Sequence, residues 1–291
     1  MFIHSASAFL TPPADLKALK EELARHTDVY FRRVNKFVLL ALIGAHRCAR
    51  DRRIAPDTAI YLATEHGNLG DTESVLRQIY RQHSLPMPYN FINTMANTAS
   101  FYVAQGLNLT GRNLSVSSQN LSFERGLELL KADMDLQAVG SALAGGVDEA
   151  TASESHFREK SGLAADRVNQ VDRSCWLYLR REGEGAVGEV KAIRSFRGKS
   201  DGLSWLAANR RAFLRPAVLS FGMAIGLKER EEWKKAVRPD GEWDYVRECG
   251  HRNATAAYGV ATFIGRRRTG LLIHVNKNFQ DRYAILQAEG F

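Results

Sequence analysis

Residues 113 to 146 read NLSVSSQNLSFERGLELLKADMDLQAVGSALAGG, and this stretch decides the fold. The segment NLSVS (113–117) is typical of a short strand, SFERGLELLKADM (122–134) of a helix, and AVGSALAGG (138–146) of a fully apolar strand. Strand, sharp turn, helix and strand in this order predict a βαβ unit with parallel strands. The apolar second strand predicts a sheet that is buried on both faces.

The residues before this unit continue the alternation of helices and strands. VYFRRVNKFVLLALIGAHRCA (29–49) spaces its apolar side chains as one buried face of a helix does. AIYLA (59–63) is a short apolar run that predicts a buried strand, and Asp71 is expected to cap the helix that follows it. NTMANTASFYVAQGL (93–107) predicts a further helix, closed by Gly106.

The residues after the unit are less regular. SCWLYLRR (174–181) and AVGEVKAIRSF (186–196) flank a glycine-rich turn, which predicts an antiparallel hairpin. Residues 197–247 contain two helical stretches but no motif that we can place. The last part of the chain predicts one helix and two strands, in HRNATAAYGVATFIGRRR (251–268), LLIHVN (271–276) and RYAILQA (282–288). The chain as a whole is therefore expected to be of the α/β class.

Composition excludes several classes of protein. The 291 residues are 45% hydrophobic and 25% charged, which is ordinary for a globular chain. Three cysteines without a CxxC spacing argue against a disulfide scaffold and a zinc ribbon. No apolar run reaches the roughly 18 residues that span a bilayer, so we expect no membrane insertion and a cytoplasmic protein.

The chain carries a formal net charge of +8, which favours an acidic partner. The densest basic run, Arg266 to Arg268, is interpreted as a solvated helix end. No motif supports nucleic-acid binding, and we expect no nucleic-acid partner. The histidines lack metal-ligand spacing, and neither a dinucleotide-binding loop nor a Walker loop is present, so no metal and no cofactor are expected.

The stretch from Phe91 to Glu149 resembles the β-ketoacyl synthases of the thiolase superfamily, over the segment that surrounds their nucleophile. The match needs no gap between Gly111 and Gly146. Residues 32–36, 63–67 and 250–259 resemble further family segments, so the resemblance covers all but residues 197–247. It implies a thiolase-like αβαβα layered fold.

The resemblance also shows where this chain departs from active family members. The position of the catalytic cysteine corresponds to Asn120, preceded by Gln119, and an asparagine cannot form the acyl thioester. His251 matches the second catalytic histidine, but the motif that carries the first is missing. Phe279 matches a family phenylalanine whose following glycines are lost here. The resemblance therefore implies a degenerate site (Gln119, Asn120, His251, Phe279) with no catalytic residue.

The nearest subgroup with a replaced nucleophile is the chain-length factor, the ketosynthase β subunit of type II polyketide or aryl polyene systems, in which glutamine often stands at that position. Typical family members are longer, so we expect one ketosynthase-like domain over 1–291 with a complete N-terminal half (1–165) and a reduced C-terminal half (166–291). That reduction is expected to expose apolar surface in the C-terminal half.

Two functions are compatible with this resemblance. The chain is expected to act as a non-catalytic factor that pairs with an active ketosynthase, shapes its acyl tunnel and recruits an acyl carrier protein. Alternatively, it is a thiolase-fold decarboxylase, acyltransferase or hydrolase that polarises a thioester without a cysteine nucleophile, using His251 with Gln119 or Asn120. The candidate residues of the tunnel or interface are Phe91, Phe101, Tyr102 and Phe123.

Overall fold

The secondary structure follows from a computed structural model that describes residues 1–150, 171–209, 217–249 and 255–291. The strands of these residues are β1 (Phe2–Thr11), β2 (Ala59–Ala63), β3 (Asn113–Val116), β4 (Ser141–Asp148), β5 (Asp172–Arg180), β6 (Gly188–Phe196), β7 (Ala217–Phe221), β8 (Gly241–Glu242), β9 (Gly270–Lys277) and β10 (Tyr283–Gly290). The helices are α1 (Leu16–Leu23), α2 (Lys36–Ala49), α3 (Leu69–Arg81), α4 (Pro88–Ile92), α5 (Asn97–Leu107), α6 (Ser122–Asp135), α7 (Lys199–Ala208), α8 (Leu227–Val237), α9 (Tyr245–Cys249) and α10 (Thr255–Gly265).

The βαβ unit predicted from residues 113–146 is present. Strand β3 leads into α6 and then into β4, and both strands pair in parallel with β2, which lies between them. Every residue of β2 and β4 is buried, as the apolar runs predict. Helix α6 packs on this part of the sheet through Phe123, Leu127 and Leu130.

The two halves of the chain repeat one strand order. The strands lie in the sequence β3-β2-β4-β5-β1-β6-β10-β9-β7-β8. Counted within each half, both sides read third, second, fourth, fifth and first strand, starting from the outer edge. The two halves meet at β1 and β6, which pair only through Phe2 with Glu189 and Ile3 with Gly188. The five strands on each side of the contact between β1 and β6 therefore share one strand order.

Three hydrophobic clusters separate the layers. The first joins α1, α2 and α5 to the outer face of the N-terminal strands. The second lies between the two sets of strands and contains side chains of α6 and α10. The third joins α7 and α8 to the outer face of the C-terminal strands, around the fully buried Trp233. Helices thus cover both outer faces and fill the middle, and the predicted αβαβα layering is confirmed.

The C-terminal half is shortened in its connections and at its outer edge. Residues 64–140 connect the second and fourth strands of the N-terminal half, whereas residues 222–269 connect their counterparts. The outermost strand of the C-terminal half, β8, has two residues. The described part of this half exposes few large apolar side chains, namely Leu227, Phe279 and Phe291. We expected the shortened C-terminal half to expose apolar surface. For the described part of this half the expectation was wrong, because α7 and α8 still cover its sheet.

The predicted hairpin of residues 174–181 and 186–196 was also wrong. Both strands exist, but β1 lies between them and pairs with β5 from Phe2 to Thr11. Local sequence shows two strands joined by a turn. It does not show that a strand formed by the first residues of the chain lies between them.

Three helix boundaries differ from the prediction. Helix α2 begins at Lys36, where the Asn35 side chain accepts a hydrogen bond from the N–H of Val38 over 2.8 Å. Helix α3 begins before Asp71, whose carboxylate accepts a hydrogen bond from the Asn35 amide over 2.6 Å and does not cap the helix. Helix α5 passes Gly106 and ends at Leu107, and the next residue, Asn108, adopts the left-handed conformation with φ 54°.

Gly106 has a packing role within α5. A Cβ atom at this position would lie 2.9 Å from both the His46 imidazole and the Phe31 ring. The glycine therefore allows α5 and α2 to approach each other closely.

Candidate functional site

The sharp turn between β3 and α6 is the position at which the sequence predicted a lost nucleophile. Gln119 has φ 53°, in the left-handed region, and the turn ends at the start of α6. The Ser122 hydroxyl holds this turn, because it donates to the Gln119 carbonyl over 2.6 Å and accepts from the N–H of Ser118 over 2.9 Å. The strained backbone therefore falls on Gln119, one residue before Asn120.

The two residues of the turn have different surroundings. The Gln119 side chain is exposed, whereas Asn120 is 6% exposed. Both polar atoms of the Asn120 side chain, Oδ1 and Nδ2, are buried and have no hydrogen-bond partner among the described residues. Buried amides without partners are rare, which makes Asn120 a candidate for contact with a bound molecule.

A buried polar cluster lies directly behind the turn. The Asn276 amide donates to the Asn120 carbonyl over 2.9 Å and to Glu124 Oε1 over 2.8 Å. His274 Nε2 lies 3.4 Å from the same carboxylate oxygen. Glu124 is fully buried, and its second oxygen has no partner in the described part of the chain. A carboxylate in such surroundings depends strongly on the amide and imidazole beside it.

The cluster continues across the C-terminal strands. His274 Nδ1 lies 3.2 Å from the Ser220 hydroxyl and 3.5 Å from the Tyr245 hydroxyl. All of these side chains are buried between the two sets of strands. Asn276 fits closely against Gly222, where a Cβ atom would stand 1.9 Å from its Oδ1.

Sequence reasoning missed Glu124, His274 and Asn276. A signal was present, since Glu124 lies one helical turn after Asn120, on the α6 face that also carries Leu127. His274 and Asn276 are polar residues within an otherwise apolar strand. The sequence did not show that these three residues lie close together, because Glu124 and Asn276 are 152 residues apart in the chain.

Phe279, a further member of the predicted site, is not brought to the turn by any described contact. His251 lies outside the described residues. Phe279 lies in the turn between β9 and β10 and is 64% exposed. The Asn278 carboxamide holds this turn by accepting hydrogen bonds from the N–H groups of Gln280 and Arg282, each over 3.0 Å.

The four tunnel or interface candidates fall in two places. Phe91 and Phe101 are 59% and 60% exposed, and Tyr102 is half-buried beside Phe101 with ring centroids 5.7 Å apart. Phe123 is buried in the cluster between the two sets of strands. Phe101 and Tyr102 are on α5, which lies against β3 through the hydrogen bond from the Asn113 amide to the Ser100 carbonyl.

None of the three cysteines offers a replacement nucleophile. Cys48, Cys175 and Cys249 are all buried. Burial raises the pKa of the Cys48 and Cys175 thiols to about 12 and that of Cys249 to about 11. A thiol with such a pKa is protonated at neutral pH, and the thiolate is the reactive form.

The described residues contain no group of three or more histidine, cysteine or acidic side chains that could hold a metal ion. No helix in the same residues is long and apolar enough to cross a bilayer.

Solved structures of known proteins share this architecture. The ishigamide ketosynthase/chain length factor aligns over 100% of this chain and 99% of its own, with a TM-score of 0.74 and 16% identity. The chain has a ketosynthase fold. A type II polyketide synthase ketosynthase, solved in complex with its acyl carrier protein, aligns over 100% and 99% with a TM-score of 0.74 and 11% identity. A ketosynthase in complex with its chain length factor from Xenorhabdus doucetiae aligns over 99% and 98% with a TM-score of 0.57 and 13% identity.

No protein-family model matches the chain, and no curated protein sequence matches it. At 11 to 16% identity, the solved structures show the ketosynthase fold but not the chemistry. The chemistry has to be judged from the side chains at the turn between β3 and α6.

Proposed function

We propose that this chain is a non-catalytic chain-length factor that forms a heterodimer with an active ketosynthase. The observation that carries the proposal is the turn between β3 and α6, where the ketosynthase fold places its nucleophile. Gln119 and Asn120 occupy this turn, and their carboxamides can donate and accept hydrogen bonds but cannot accept an acyl group.

The backbone at this turn supports the proposal. A left-handed residue at the start of a helix is the geometry that exposes a nucleophile, and here it presents a glutamine. The described cysteines are buried elsewhere, with thiol pKa values far above neutrality. The chain thus keeps the form of the site without the reactive group.

The outer edge of the N-terminal strands is the proposed interface. Strand β3 is the last strand on this side and pairs only with β2 among the described strands. Exposed apolar side chains lie on α4, on α5 and on the residues that connect the two helices. Unpaired strand edges and contiguous apolar patches are surfaces that proteins cover with a partner. We place the active ketosynthase against β3 and the side chains of Phe91, Ile92, Met95 and Phe101.

The proposal includes the walls of the acyl tunnel and the binding of an acyl carrier protein. Phe101 and Tyr102 lie on α5, beside β3, and Phe123 is buried at the start of α6, three residues after Asn120. In this proposal these aromatic side chains limit the length of the chain built by the partner. The net charge of +8 favours an acidic acyl carrier protein.

Co-expression with an active ketosynthase from the same organism tests the heterodimer. The two proteins should co-purify on size-exclusion chromatography as one species whose mass is the sum of the two monomer masses. The double variant Phe91→Asp/Phe101→Asp should abolish co-purification, because it places two charges in the apolar patch. The control Leu227→Asp changes a side chain that is 79% exposed in the C-terminal half and should co-purify normally. Independent migration of the two wild-type proteins would exclude the heterodimer.

One observation favours an enzyme acting on acyl thioesters as a second candidate. The buried, unpartnered amide of Asn120 is able to bind a thioester carbonyl or an enolate oxygen. Decarboxylation or hydrolysis of malonyl and acyl thioesters by the purified chain would support this function. Loss of that turnover in Asn120→Leu and His251→Ala, with folding intact, would assign it to this site.

A further inference from the structure

Helix α3 has an apolar face that the rest of the chain leaves in contact with solvent. Within α3, which is described throughout, Val75 alone is buried. Leu76, Ile79 and Tyr80 are 47%, 39% and 73% exposed, and their spacing of three and four residues places them on one face of the helix. None of these side chains belongs to the surface placed above against the ketosynthase. Exposed apolar faces of this kind mark contacts with another surface.

The apolar surface continues past the end of α3 into the segment from Ser84 to Pro88. Leu85 is 94% exposed, more than any other large apolar side chain in the described part of the chain, and Met87 is 67% exposed. A side chain with so much exposure makes almost no packing contact within its own chain. Leu85 therefore forms a projecting apolar tip.

The backbone of this segment suits an environment that is poor in water. The prolines at positions 86 and 88 have no N–H group. The Ser84 N–H donates a hydrogen bond to the Gln78 carbonyl over 3.1 Å. Backbone polar groups without partners are costly to remove from water, and the two prolines and this hydrogen bond lower that cost.

The charges beside this surface favour contact with anions. No aspartate or glutamate occurs between Glu73 and Glu124 in the sequence. Arg77 forms an ion pair with Glu73 over 2.7 Å, whereas Arg81, the last residue of α3, is exposed and has no ion pair among the described residues. An uncompensated cation thus lies between the apolar face of α3 and the apolar tip.

We propose that α3 and the segment 84–88 bind the surface of an anionic membrane. Leu85 and Met87 enter the boundary between the headgroups and the acyl chains. Tyr80 lies at the level of the headgroups, and Arg81 contacts lipid phosphates. Acyl chains adapt to a projecting tip, whereas a folded protein would need a pocket shaped to receive it. The binding is peripheral, because no helix among the described residues is long and apolar enough to cross a bilayer.

Co-sedimentation of the full chain with lipid vesicles tests this proposal. Vesicles of phosphatidylcholine and phosphatidylglycerol in equal parts should bind at least fivefold more protein than vesicles of phosphatidylcholine alone. Leu85→Asp/Met87→Asp should lower the partition coefficient on the mixed vesicles at least tenfold, because it replaces the side chains that enter the lipid. Arg81→Glu should lower it at least fivefold, because it reverses a charge next to the anionic surface.

The matched control is Leu136→Asp/Leu227→Asp, which changes two side chains that are 78% and 79% exposed elsewhere in the chain. It adds the same charge as the double variant of the tip, and its partition coefficient should stay within twofold of the wild type. All of these positions are exposed, so the circular dichroism spectra should be unchanged.

A fluorescent label at the tip measures its entry into the lipid. In the variant Leu85→Cys the added thiol is exposed, whereas the native cysteines are buried, so the label NBD attaches at position 85. Its emission should increase at least twofold and shift to shorter wavelength when the mixed vesicles are added. The same label on Leu136→Cys should keep its emission.

Three results would overturn the proposal. The first is the absence of binding to the mixed vesicles, and loss of co-purification with the ketosynthase in Leu85→Asp/Met87→Asp would then assign the tip to a protein contact. The second is equal vesicle binding by this variant and the wild type. The third is binding without a change in the emission of the label at position 85, which would show attraction by net charge alone.

Discussion

The side-chain amide of Asn276 donates to the backbone carbonyl of Asn120 over 2.9 Å, and this bond joins the two halves of the chain at the turn between β3 and α6. The same amide group donates to Glu124 Oε1 over 2.8 Å, so one side chain holds both the turn and the buried carboxylate behind it. Asn276 is 1% exposed, so these two hydrogen bonds are made away from solvent. The position of the turn thus depends on a residue at the other end of the chain.

Replacing Asn276 with leucine should destabilise the protein strongly. The substitution keeps the approximate volume but leaves the Asn120 carbonyl and one oxygen of Glu124 without their donor. Buried acceptors that lose their partner cost about 1 to 3 kcal/mol each, and more when charged, so we expect a loss on the order of 3 kcal/mol in the free energy of unfolding. Urea unfolding monitored by circular dichroism measures it.

The control for this prediction is Asn209→Leu, at an exposed position after α7. It should change the free energy of unfolding by less than about 0.5 kcal/mol, as surface substitutions usually do. An equal effect of the two variants would contradict a specific role of Asn276.

The contact between Glu124 and His274 predicts non-additive substitutions. Glu124→Leu removes a fully buried carboxylate beside the imidazole, and His274→Leu removes the imidazole beside the carboxylate. Removing one member leaves the other buried polar group beside an apolar side chain, which costs about 1 to 3 kcal/mol, whereas replacing both members with apolar side chains costs less. A double-mutant cycle of unfolding free energies should therefore show coupling above about 1 kcal/mol. Additive losses would mean that the two groups do not depend on each other.

The sequence predicted those parts of the fold that depend on local periodicity. The strand, helix and strand of residues 113–146 follow from the spacing of apolar side chains over a few turns, and the structure contains all three. The position of β1 could not be predicted in this way. Its pairing with β5 joins residues more than 160 positions apart, while the local sequence favoured a hairpin of β5 with β6. Non-local pairing depends on the free energy of the whole sheet, which a window of residues does not contain.

In the candidate site, too, local features could be predicted from the sequence and contacts between distant residues could not. Asn120 is identified from its ungapped distance to the glycine pair at Gly145 and Gly146, and the structure places it at a turn before a helix. That the left-handed conformation falls on Gln119, and that Asn120 is buried, depends on packing between the halves. The cluster of Glu124, His274 and Asn276 could not be predicted, because a polar residue in an apolar segment does not reveal its partner.

The three cysteine thiols should not react in the folded protein. Burial raises the pKa of the Cys48 and Cys175 thiols to about 12 and that of the Cys249 thiol to about 11, so almost no thiolate exists at pH 8. Ellman's reagent should label none of them within minutes under native conditions and all three in 6 M guanidinium chloride. Rapid native labelling of one cysteine would reveal an accessible thiol and weaken the non-catalytic function proposed above.

Glu149 should make the stability of the protein decrease between pH 4.5 and pH 7. Burial raises the pKa of its carboxyl group from 4.5 to about 7, against the hydrogen bond that the carboxylate accepts from the N–H of Gly70 over 2.8 Å. Between these two pH values the folded state holds a proton that the unfolded state has released. Stability therefore decreases as the pH rises through this window and changes little above it from this group.

The variant Glu149→Gln isolates this contribution, because its amide oxygen still accepts from Gly70 but does not ionise. The difference in unfolding free energy between Glu149→Gln and the wild type should be near zero at pH 4 and should increase to roughly 1 to 3 kcal/mol in favour of the variant at pH 8. The charge of Lys36 lowers the pKa of Glu149, and the charge of Asp71 raises it. In a Lys36→Met background, the difference in unfolding free energy between Glu149→Gln and the protein that keeps Glu149 should therefore be larger. The exposed control Glu184→Gln should show no such dependence on pH. A constant difference across the range would mean that Glu149 ionises in the folded protein as readily as in the unfolded chain.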